Sequence, residues 1–232
     1  MKFKSLALAT AFAFSSGFAV ADYQSEIGAD YTDVEDGDGA FGMYGELHFS
    51  PVQTRNHPLA EAAFLERSSN VFARGGNDFD LLTVGGELYV PDTMFYVKAE
   101  VVRDDRFADS DTTAYATLGL TPIDGLRVTT TFSDDGYDAN LSAKYVTSLG
   151  GGNFVNFQGE YADGDFDDYL SLGADFYFDR TFSVGAAYAD DMGNDVFTLR
   201  TEKFFNEEVS GNLAFTDTDF GNAFTIGAAI RF

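Results

Sequence analysis

The sequence predicts an all-β protein, an antiparallel up-and-down transmembrane β-barrel of about 14 strands. Three observations lead to this prediction. Stretches of roughly ten residues alternate between apolar and polar side chains. The connections between them alternate between tight turns and acidic loops. Beyond the N-terminal segment, no run approaches the roughly 20 apolar residues that a transmembrane helix needs. Because single-chain bacterial barrels have an even strand number, a barrel of about 12 strands is the alternative if one hairpin is misread.

The N-terminal segment has the features of a cleaved export signal. Lys2 and Lys4 give a basic start, Ser5–Phe18 is mostly apolar, and Ala19–Ala21 is a small-x-small cleavage site. The apolar stretch is too short to cross a bilayer as a helix. We therefore expect residues 1–21 to be a signal peptide, cleaved before Asp22, and residues 22–232 to form the barrel.

The predicted strands are bounded by turn residues and fall along the whole remaining chain. In order they are Tyr23–Thr32, Ala40–Phe49, Ser68–Arg74, Phe79–Val90, Met94–Arg103, Thr112–Thr121, Leu126–Ser133, Ala139–Thr147, Asn153–Ala162, Asp168–Phe178, Thr181–Ala189, Asp195–Phe205, Glu208–Thr216 and Asn222–Phe232. The weakest is Ser68–Arg74. We retain it because without it Phe79–Val90 would run in the wrong direction and acidic loops would lie at both ends of the barrel.

Aromatic side chains on the apolar faces concentrate near the ends of the strands. Beside tight turns lie Phe49, Phe178, Phe182, Phe205 and Phe232, and near acidic loops lie Tyr31, Phe41, Phe132, Tyr161, Tyr188, Phe197, Phe215 and Phe224. Two aromatic belts are typical of proteins that cross two membrane interfaces. Core aromatics of a soluble β-sandwich would show no such preference for strand ends.

The opposite faces of the strands carry charges of both signs. Candidate pore-lining residues are Glu46, Glu87, Lys98, Glu100, Arg127, Lys144, Glu160, Asp175, Arg200 and Glu202, and the same alternation points Glu26, Asp30, Arg103 and Arg231 inward. A charged wall costs little beside water and much in a dry interior. The pattern therefore favours a water-filled lumen, although pairing across strands that rigidifies a closed core remains the alternative.

The last ten residues, Ala223–Phe232, resemble the C-terminal signature of Gram-negative outer-membrane proteins, an alternating strand that ends on Phe. The signature residues are Phe224, Ile226, Ile230 and Phe232. The resemblance implies recognition by the barrel-assembly machinery and a place in the bacterial outer membrane, in contact with outer-membrane lipid and lipopolysaccharide.

A second stretch, Ser50–Val52 followed by Pro58–Ser69, resembles a motif of general porins of Gram-negative bacteria. This resemblance implies an outer-membrane porin for passive diffusion of small hydrophilic solutes or ions, and assigns no particular solute. The residues also predict one short helix near 58–66, because Pro58 suits a first helical turn and good helix formers follow it. Two positions are open for this helix: covering the rim of the barrel, or inside the lumen, where it would narrow the pore.

Composition and motifs argue against other classes of function. The formal net charge of -24 opposes nucleic-acid binding. The sequence has no nucleophile elbow, P-loop or dinucleotide fingerprint. Its only histidines are His48 and His57, so we expect no catalytic residues, no enzyme activity and no cofactor.

The acidic loops have two possible roles. The clusters at residues 33–38 and 163–168 lack the closing Glu of an EF-hand, so we expect solvated acids rather than a dedicated metal site. Acids at the mouth of a channel concentrate cations, which predicts a modest cation preference. The alternatives to a porin are a structural or adhesive barrel with an occluded lumen and, less favoured, a barrel enzyme.

Overall fold

The computed structural model describes residues 22–35, 37–106, 111–133, 139–163, 168–191 and 193–232. In these residues the chain forms 14 antiparallel strands closed into one barrel, as the sequence predicts. Each strand pairs with its neighbours in sequence, and the last strand pairs with the first. The predicted signal peptide, residues 1–21, lies outside the described residues.

The strands are β1 Asp22–Val34, β2 Ala40–Gln53, β3 Asn70–Gly76, β4 Leu81–Tyr89, β5 Phe95–Asp104, β6 Asp111–Leu120, β7 Leu126–Ser133, β8 Ala139–Gly150, β9 Asn153–Asp163, β10 Tyr169–Asp179, β11 Phe182–Asp191, β12 Asn194–Phe204, β13 Val209–Thr218 and β14 Gly221–Arg231. The predicted short helix is also present, as a 3-10 turn at Leu59–Glu61 that continues into α1, Ala62–Leu65. No helix in the described ranges is long and apolar enough to cross a membrane.

The differences from the predicted strands lie at strand ends, and the largest is at the end of β2. Strand β2 continues to Gln53 rather than ending at Phe49. Strand β4 begins at Leu81, because Asn77–Phe79 forms a turn in which all three residues have positive φ angles, of 47°, 56° and 76°. Left-handed backbone of this kind is incompatible with an extended strand.

Side chains alternate between the outside and the inside of the barrel. On β12, Phe197 and Leu199 are exposed on the outer face, whereas Arg200 and Glu202 occupy the inner face. Nearly all aromatic residues of the two predicted belts are likewise exposed on the outer face. The outer wall is therefore apolar, as lipid requires.

The predicted inward direction of Arg103 is wrong. Alternation runs unbroken along β5, so Arg103 shares the outer face with Phe95 and Val101. Its side chain is exposed and forms an ion pair of 2.9 Å with Asp105 beside the end of the strand. Because the residue lies at the strand end, the charge is next to the loops rather than at mid-membrane depth.

The two ends of the barrel differ in chemistry. Asp22 and Phe232 lie at one end together with the tight turns, and we call this the turn end. The opposite, loop end carries the acidic connections. At the turn end, Gly125 has a φ of 74°, and a Cβ there would collide with the carbonyl oxygen of Val146. Only glycine fits this position without strain.

Candidate functional site: the lumen and its plug

The segment between β2 and β3, residues 54–69, folds into the turn end of the lumen, and we call it the plug. Leu59 near its centre is fully buried. The backbone N–H of Leu59 donates to the carbonyl oxygen of Arg180, beyond β10, at 2.8 Å. The Leu59 carbonyl accepts a 2.8 Å hydrogen bond from the guanidinium of Arg231 on β14. These contacts join the plug to β14 and to the β10–β11 turn, which are both distant from it in sequence.

The carboxylate of Glu61 fixes the helical part of the plug to the barrel wall. It accepts a 2.7 Å hydrogen bond from the hydroxyl of Tyr177 on β10. Its other oxygen lies 2.7 Å from the ammonium of Lys144 on β8. The ring of Phe64 lies 4.8 Å from this ammonium and 5.2 Å from the guanidinium of Arg127 on β7. Of the two positions open for the helix, the structure therefore places it inside the lumen.

Two arginines hold the ends of the plug. Arg180 donates to the carbonyl oxygens of Thr54 and His57, at 2.6 and 3.0 Å. Arg67 reaches the β6–β7 turn, where it donates to the carbonyl oxygen of Ile123 at 3.4 Å and pairs with Asp124 at 3.3 Å. The first pair of bonds is short and the second is long, so Arg180 is the stronger anchor.

His48 links the plug to β2. Its Nδ1 lies 2.9 Å from the hydroxyl of Ser68, and its Nε2 lies 3.2 Å from the carboxylate of Glu46. The order serine, histidine, acid matches that of serine hydrolases. However, His48 is 1% exposed and Ser68 is 8% exposed. A nucleophile must be reachable by its substrate, so this arrangement serves to hold the end of the plug.

A cavity of about 690 Å³ lies in the lumen between the plug and the loop end. Its charged lining residues are Glu46, Arg74, Glu87, Lys98, Glu100, Arg127 and Glu160, and its neutral lining residues are Asn70, Phe72, Tyr96, Tyr115, Thr117, Thr129, Thr131, Ser133, Asn140 and Ser142. These residues belong to β2–β9, so the cavity follows one half of the barrel. Seven ionisable groups around one space require water as their solvent.

Most of the candidate pore-lining residues lie around this cavity: Glu46, Glu87, Lys98, Glu100, Arg127 and Glu160. Lys144 instead contacts the plug, and Asp175, Arg200 and Glu202 face inward on β10 and β12, in the other half of the barrel. Arg74 lines the cavity but was not among the residues predicted from the sequence to line the pore. It follows Phe72 on the inner face, and an aromatic residue on that face hides the polar alternation.

Ion pairs neutralise many of the inward charges. Lys98 pairs with Glu100 at 2.7 Å. Arg127 lies 3.4 Å from Glu87 and donates to the hydroxyl of Tyr89 at 2.7 Å. Such pairs stiffen the wall while leaving the cavity hydrated.

On the inner wall of the other half of the barrel, one bidentate ion pair joins two strands. Arg200 donates two hydrogen bonds to Asp175, at 2.6 and 2.8 Å. The two residues lie on β12 and β10, with Gly185 of β11 between them in register. A Cβ at Gly185 would collide with the Asp175 carboxylate. Glycine therefore opens the path through which the two side chains meet.

The acidic loops bring together no metal site within the described ranges. No group of three or more His, Asp or Glu side chains there is placed to hold a metal ion. Of the acids in the clusters at 33–38 and 163–168, Asp36, Asp165 and Asp167 lie outside the described residues.

Comparison with known proteins gives one family and several similar structures. The family model described as Putative general bacterial porin matches residues 3–120 and 105–232. The crystal structure of the Acinetobacter baumannii outer membrane protein Omp33 is similar, with a TM-score of 0.80 and 22% identity, over 91% of this chain and 99% of that one. A mutant of the Rh. blastica porin gives a TM-score of 0.50 and 9% identity, over 91% and 99% of the two chains. No curated protein sequence matches the chain.

The structural similarities are at low identity and support the fold alone. The family model covers nearly the whole sequence, including both the plug and the last strand. An apolar outer wall, a closed barrel and a hydrated, charged interior agree with that family. The chain belongs to the family of general bacterial porins and is a porin of the outer membrane.

Proposed function

We propose that this porin lets small hydrophilic solutes and ions diffuse passively across the outer membrane, with a modest preference for cations. The observation that carries the proposal is the lumen cavity of about 690 Å³, whose wall holds seven ionisable side chains. Such a wall is stable only in contact with water, and water in a barrel provides a path for solutes. The acidic loop end raises the local concentration of cations.

The plug occupies the lumen at the turn end, so solutes can pass through that end only if the plug moves. Leu59 is buried there, and Arg180, Arg231, Tyr177 and Lys144 hold the segment across the lumen. A turn end occupied by the plug also favours the second candidate function, a structural barrel with an occluded lumen. We infer that the plug is displaced at least partly when solutes pass.

A disulfide lock tests this proposal, because the chain contains no cysteine of its own. Leu59 and Arg180 are joined by a backbone hydrogen bond of 2.8 Å, so Leu59→Cys with Arg180→Cys places two thiols at neighbouring backbone positions. Conductance is recorded in planar bilayers for the oxidised and the reduced forms of this one variant. The substitutions are present in both forms, so only the bond differs.

We expect the reduced form to conduct and the oxidised form to be closed. Replacing residues 55–67 by a Gly-Ser linker should increase conductance further, because the linker leaves no ordered side chains in the lumen. If the linker variant assembles into a barrel and still passes no current, the occluded structural barrel is the correct function.

We also propose that residues 1–21 direct export and are cleaved before Asp22, and that the barrel-assembly machinery recognises the final strand. N-terminal sequencing of the purified protein tests the cleavage site. Phe232 pairs through its backbone with Ser25 on β1, at 2.9 and 2.8 Å, so deletion of Phe232 should lower assembly. Normal surface levels in that deletion would contradict the proposed role of the signature.

A further inference from the structure

Lys144 on β8 depends on the plug for its counter-ion. Within the described ranges its one ion pair is the 2.7 Å contact with Glu61. In the register of β7 and β8, Lys144 lies directly opposite Arg127, which has its own partner in Glu87 at 3.4 Å. Like charges directly opposite each other on neighbouring strands are unfavourable. The wall therefore requires an anion beside Lys144, and the plug supplies it.

The wall provides two partners for the carboxylate of Glu61. The hydroxyl of Tyr177 on β10 donates to one carboxylate oxygen at 2.7 Å, and the ammonium of Lys144 lies 2.7 Å from the other. The two strands are separated only by β9, so the closed barrel holds both groups in place. The carboxylate alone comes from the plug. When the plug leaves, two groups that are spaced for one carboxylate remain on the wall.

An aromatic ring accompanies this carboxylate. Phe64 follows Glu61 by three residues in the short helical segment, so the two side chains lie on the same side of it. The centre of the Phe64 ring is 4.8 Å from the ammonium of Lys144 and 5.2 Å from the guanidinium of Arg127. Both distances are within the range of cation–π contacts. The plug therefore presents a carboxylate and a benzene ring side by side to the two cations.

We propose that this part of the wall is a binding site for a small aromatic carboxylate, such as an arylalkanoic acid, and that the plug occupies the site as a tethered substitute. The carboxylate of the solute takes the place of Glu61, and its ring takes the place of Phe64. Arg127 also lines the lumen cavity of about 690 Å³, so the site borders the space that solutes enter. The inference rests on the proposed channel function, names its solute class and gives the event that displaces the plug.

Other solute classes fit the same groups less well. A cationic solute would meet Lys144 and Arg127 side by side. A neutral sugar brings no charge to Lys144. An inorganic anion or a short aliphatic carboxylate replaces Glu61 but not Phe64, whereas the tethered plug offers both groups at a high effective concentration. The acids at the loop end act on mobile ions at the mouth, whereas this site selects among solutes that have already entered.

Calorimetry on the purified full-length barrel in detergent tests the site. The probes are 3-phenylpropionate, its amide, which lacks the charge, and propionate, which lacks the ring. We expect the plug variant, Glu61→Ala with Phe64→Ala, to bind 3-phenylpropionate about tenfold or more tightly than the native protein does, because the tethered competitor is gone. The amide should bind this variant about tenfold more weakly than 3-phenylpropionate, the usual effect of losing a charged hydrogen-bonding group, and propionate should also bind more weakly. Equal binding of the three probes would overturn the inference.

Further variants assign the carboxylate end of the ligand. In the plug variant, Lys144→Met should abolish the preference for 3-phenylpropionate over its amide, and Tyr177→Phe should reduce it. Glu66→Gln in the otherwise native chain is the matched control. It also removes one negative charge from the plug, but Glu66 contacts His57 at 2.8 Å, so the affinity should stay at the native value. A preference that survives Lys144→Met would exclude this site, and an equal gain from Glu66→Gln would show a general effect of charge.

Conductance separates this inference from the channel function. In the native protein, 3-phenylpropionate but not its amide should raise the conductance, because it displaces the plug. If the plug variant lacks the folded, heat-modifiable band, the Gly-Ser linker variant replaces it in the calorimetry. Conductance of the linker variant without preferential binding of 3-phenylpropionate overturns the inference alone. Preferential binding without conductance leaves the site standing and counts against the channel function.

Discussion

The guanidinium of Arg231, in the last strand, donates a 2.8 Å hydrogen bond to the carbonyl oxygen of Leu59 at the centre of the plug. Arg231 also pairs with Glu26 on β1, the strand that closes the barrel against β14. Its guanidinium lies 4.4 Å from the Tyr23 ring and 4.5 Å from the Phe204 ring. One buried side chain therefore joins the closing seam of the barrel to the segment that occupies its lumen.

Replacing Arg231 should loosen both the seam and the plug. Arg231→Met leaves the carboxylate of Glu26 without its cation, and breaking a buried pair from one side costs about 3–5 kcal/mol. We expect a lower temperature of conversion from the folded to the unfolded band in heat-modifiability gels. The double variant with Glu26→Gln should regain part of that loss, because no unpaired charge remains. If Arg231→Met and the double variant melt alike, the pair is not the source of the effect.

Charge reversal in the Asp175–Arg200 pair should destabilise the barrel. Arg200→Asp would place two carboxylates at the positions now joined by hydrogen bonds of 2.6 and 2.8 Å. Both single reversals, Asp175→Arg and Arg200→Asp, should melt below the native protein, and the exchange of the two residues should recover most of the loss. The comparison of melting temperatures forms a double-mutant cycle. A coupling energy of zero would show that the Asp175–Arg200 pair contributes nothing to the stability of the barrel.

Gly185 offers a test of the same pair without changing its charges. Gly185→Leu introduces a side chain where the Asp175 carboxylate now lies, so the pair must separate. We expect this variant to melt close to Arg200→Gln. Ala187→Leu, two residues away on the same inner face of β11, is the control and should be tolerated better, since it does not intervene between Asp175 and Arg200.

The strands could be predicted from the sequence because each one carries its own signal. Phe197, Leu199 and Arg200 alone reveal which face meets lipid, and no distant contact is needed to interpret them. The position of the plug could not be predicted in this way. Leu59 meets Arg231 across 172 residues of sequence, and nothing local to either residue indicates the partner. The good helix formers after Pro58 predicted a helix without showing where it packs.

The candidate site was predictable in part for a similar reason. Glu87, Lys98 and Arg127 alternate with apolar residues on unambiguous strands, so their direction followed from the pattern. Arg74 was missed because Phe72 interrupts the polar face of a short strand. The pairing of charges depends on neighbouring strands and on residues such as Gly185, whose role is visible only when three strands are in register.

Acids at the loop end should determine the cation preference. Asp80 and Asp219 lie in exposed loop-end connections, and replacing both with Asn should lower the cation-to-anion permeability ratio, read from the reversal potential in a salt gradient. The effect should fade towards 1 M salt, where the Debye length falls from about 10 Å at 0.1 M to about 3 Å. Asp92→Asn with Glu208→Gln, at the turn end, is the control. An equal effect of the two pairs would contradict a preference set at the loop-end mouth.

Neighbouring residues on β12 should respond in opposite ways to the same new charge. Leu199 faces outward and is 47% exposed, whereas Thr198 faces inward and shares a 3.2 Å hydrogen bond with Thr216. A lipid-facing arginine near mid-membrane depth costs roughly 2–4 kcal/mol in such barrels. Leu199→Arg should therefore reduce the fraction of protein that shows the folded, heat-modifiable band. The adjacent substitution Thr198→Arg places the same side chain beside the hydrated lumen. This variant should assemble nearly as well as the native chain. Since the two residues are adjacent in the same strand, differences in depth or strand position cannot explain the contrast. Failure of Thr198→Arg with normal assembly of Leu199→Arg would reverse the faces of β12, and with them the inward direction of Arg200.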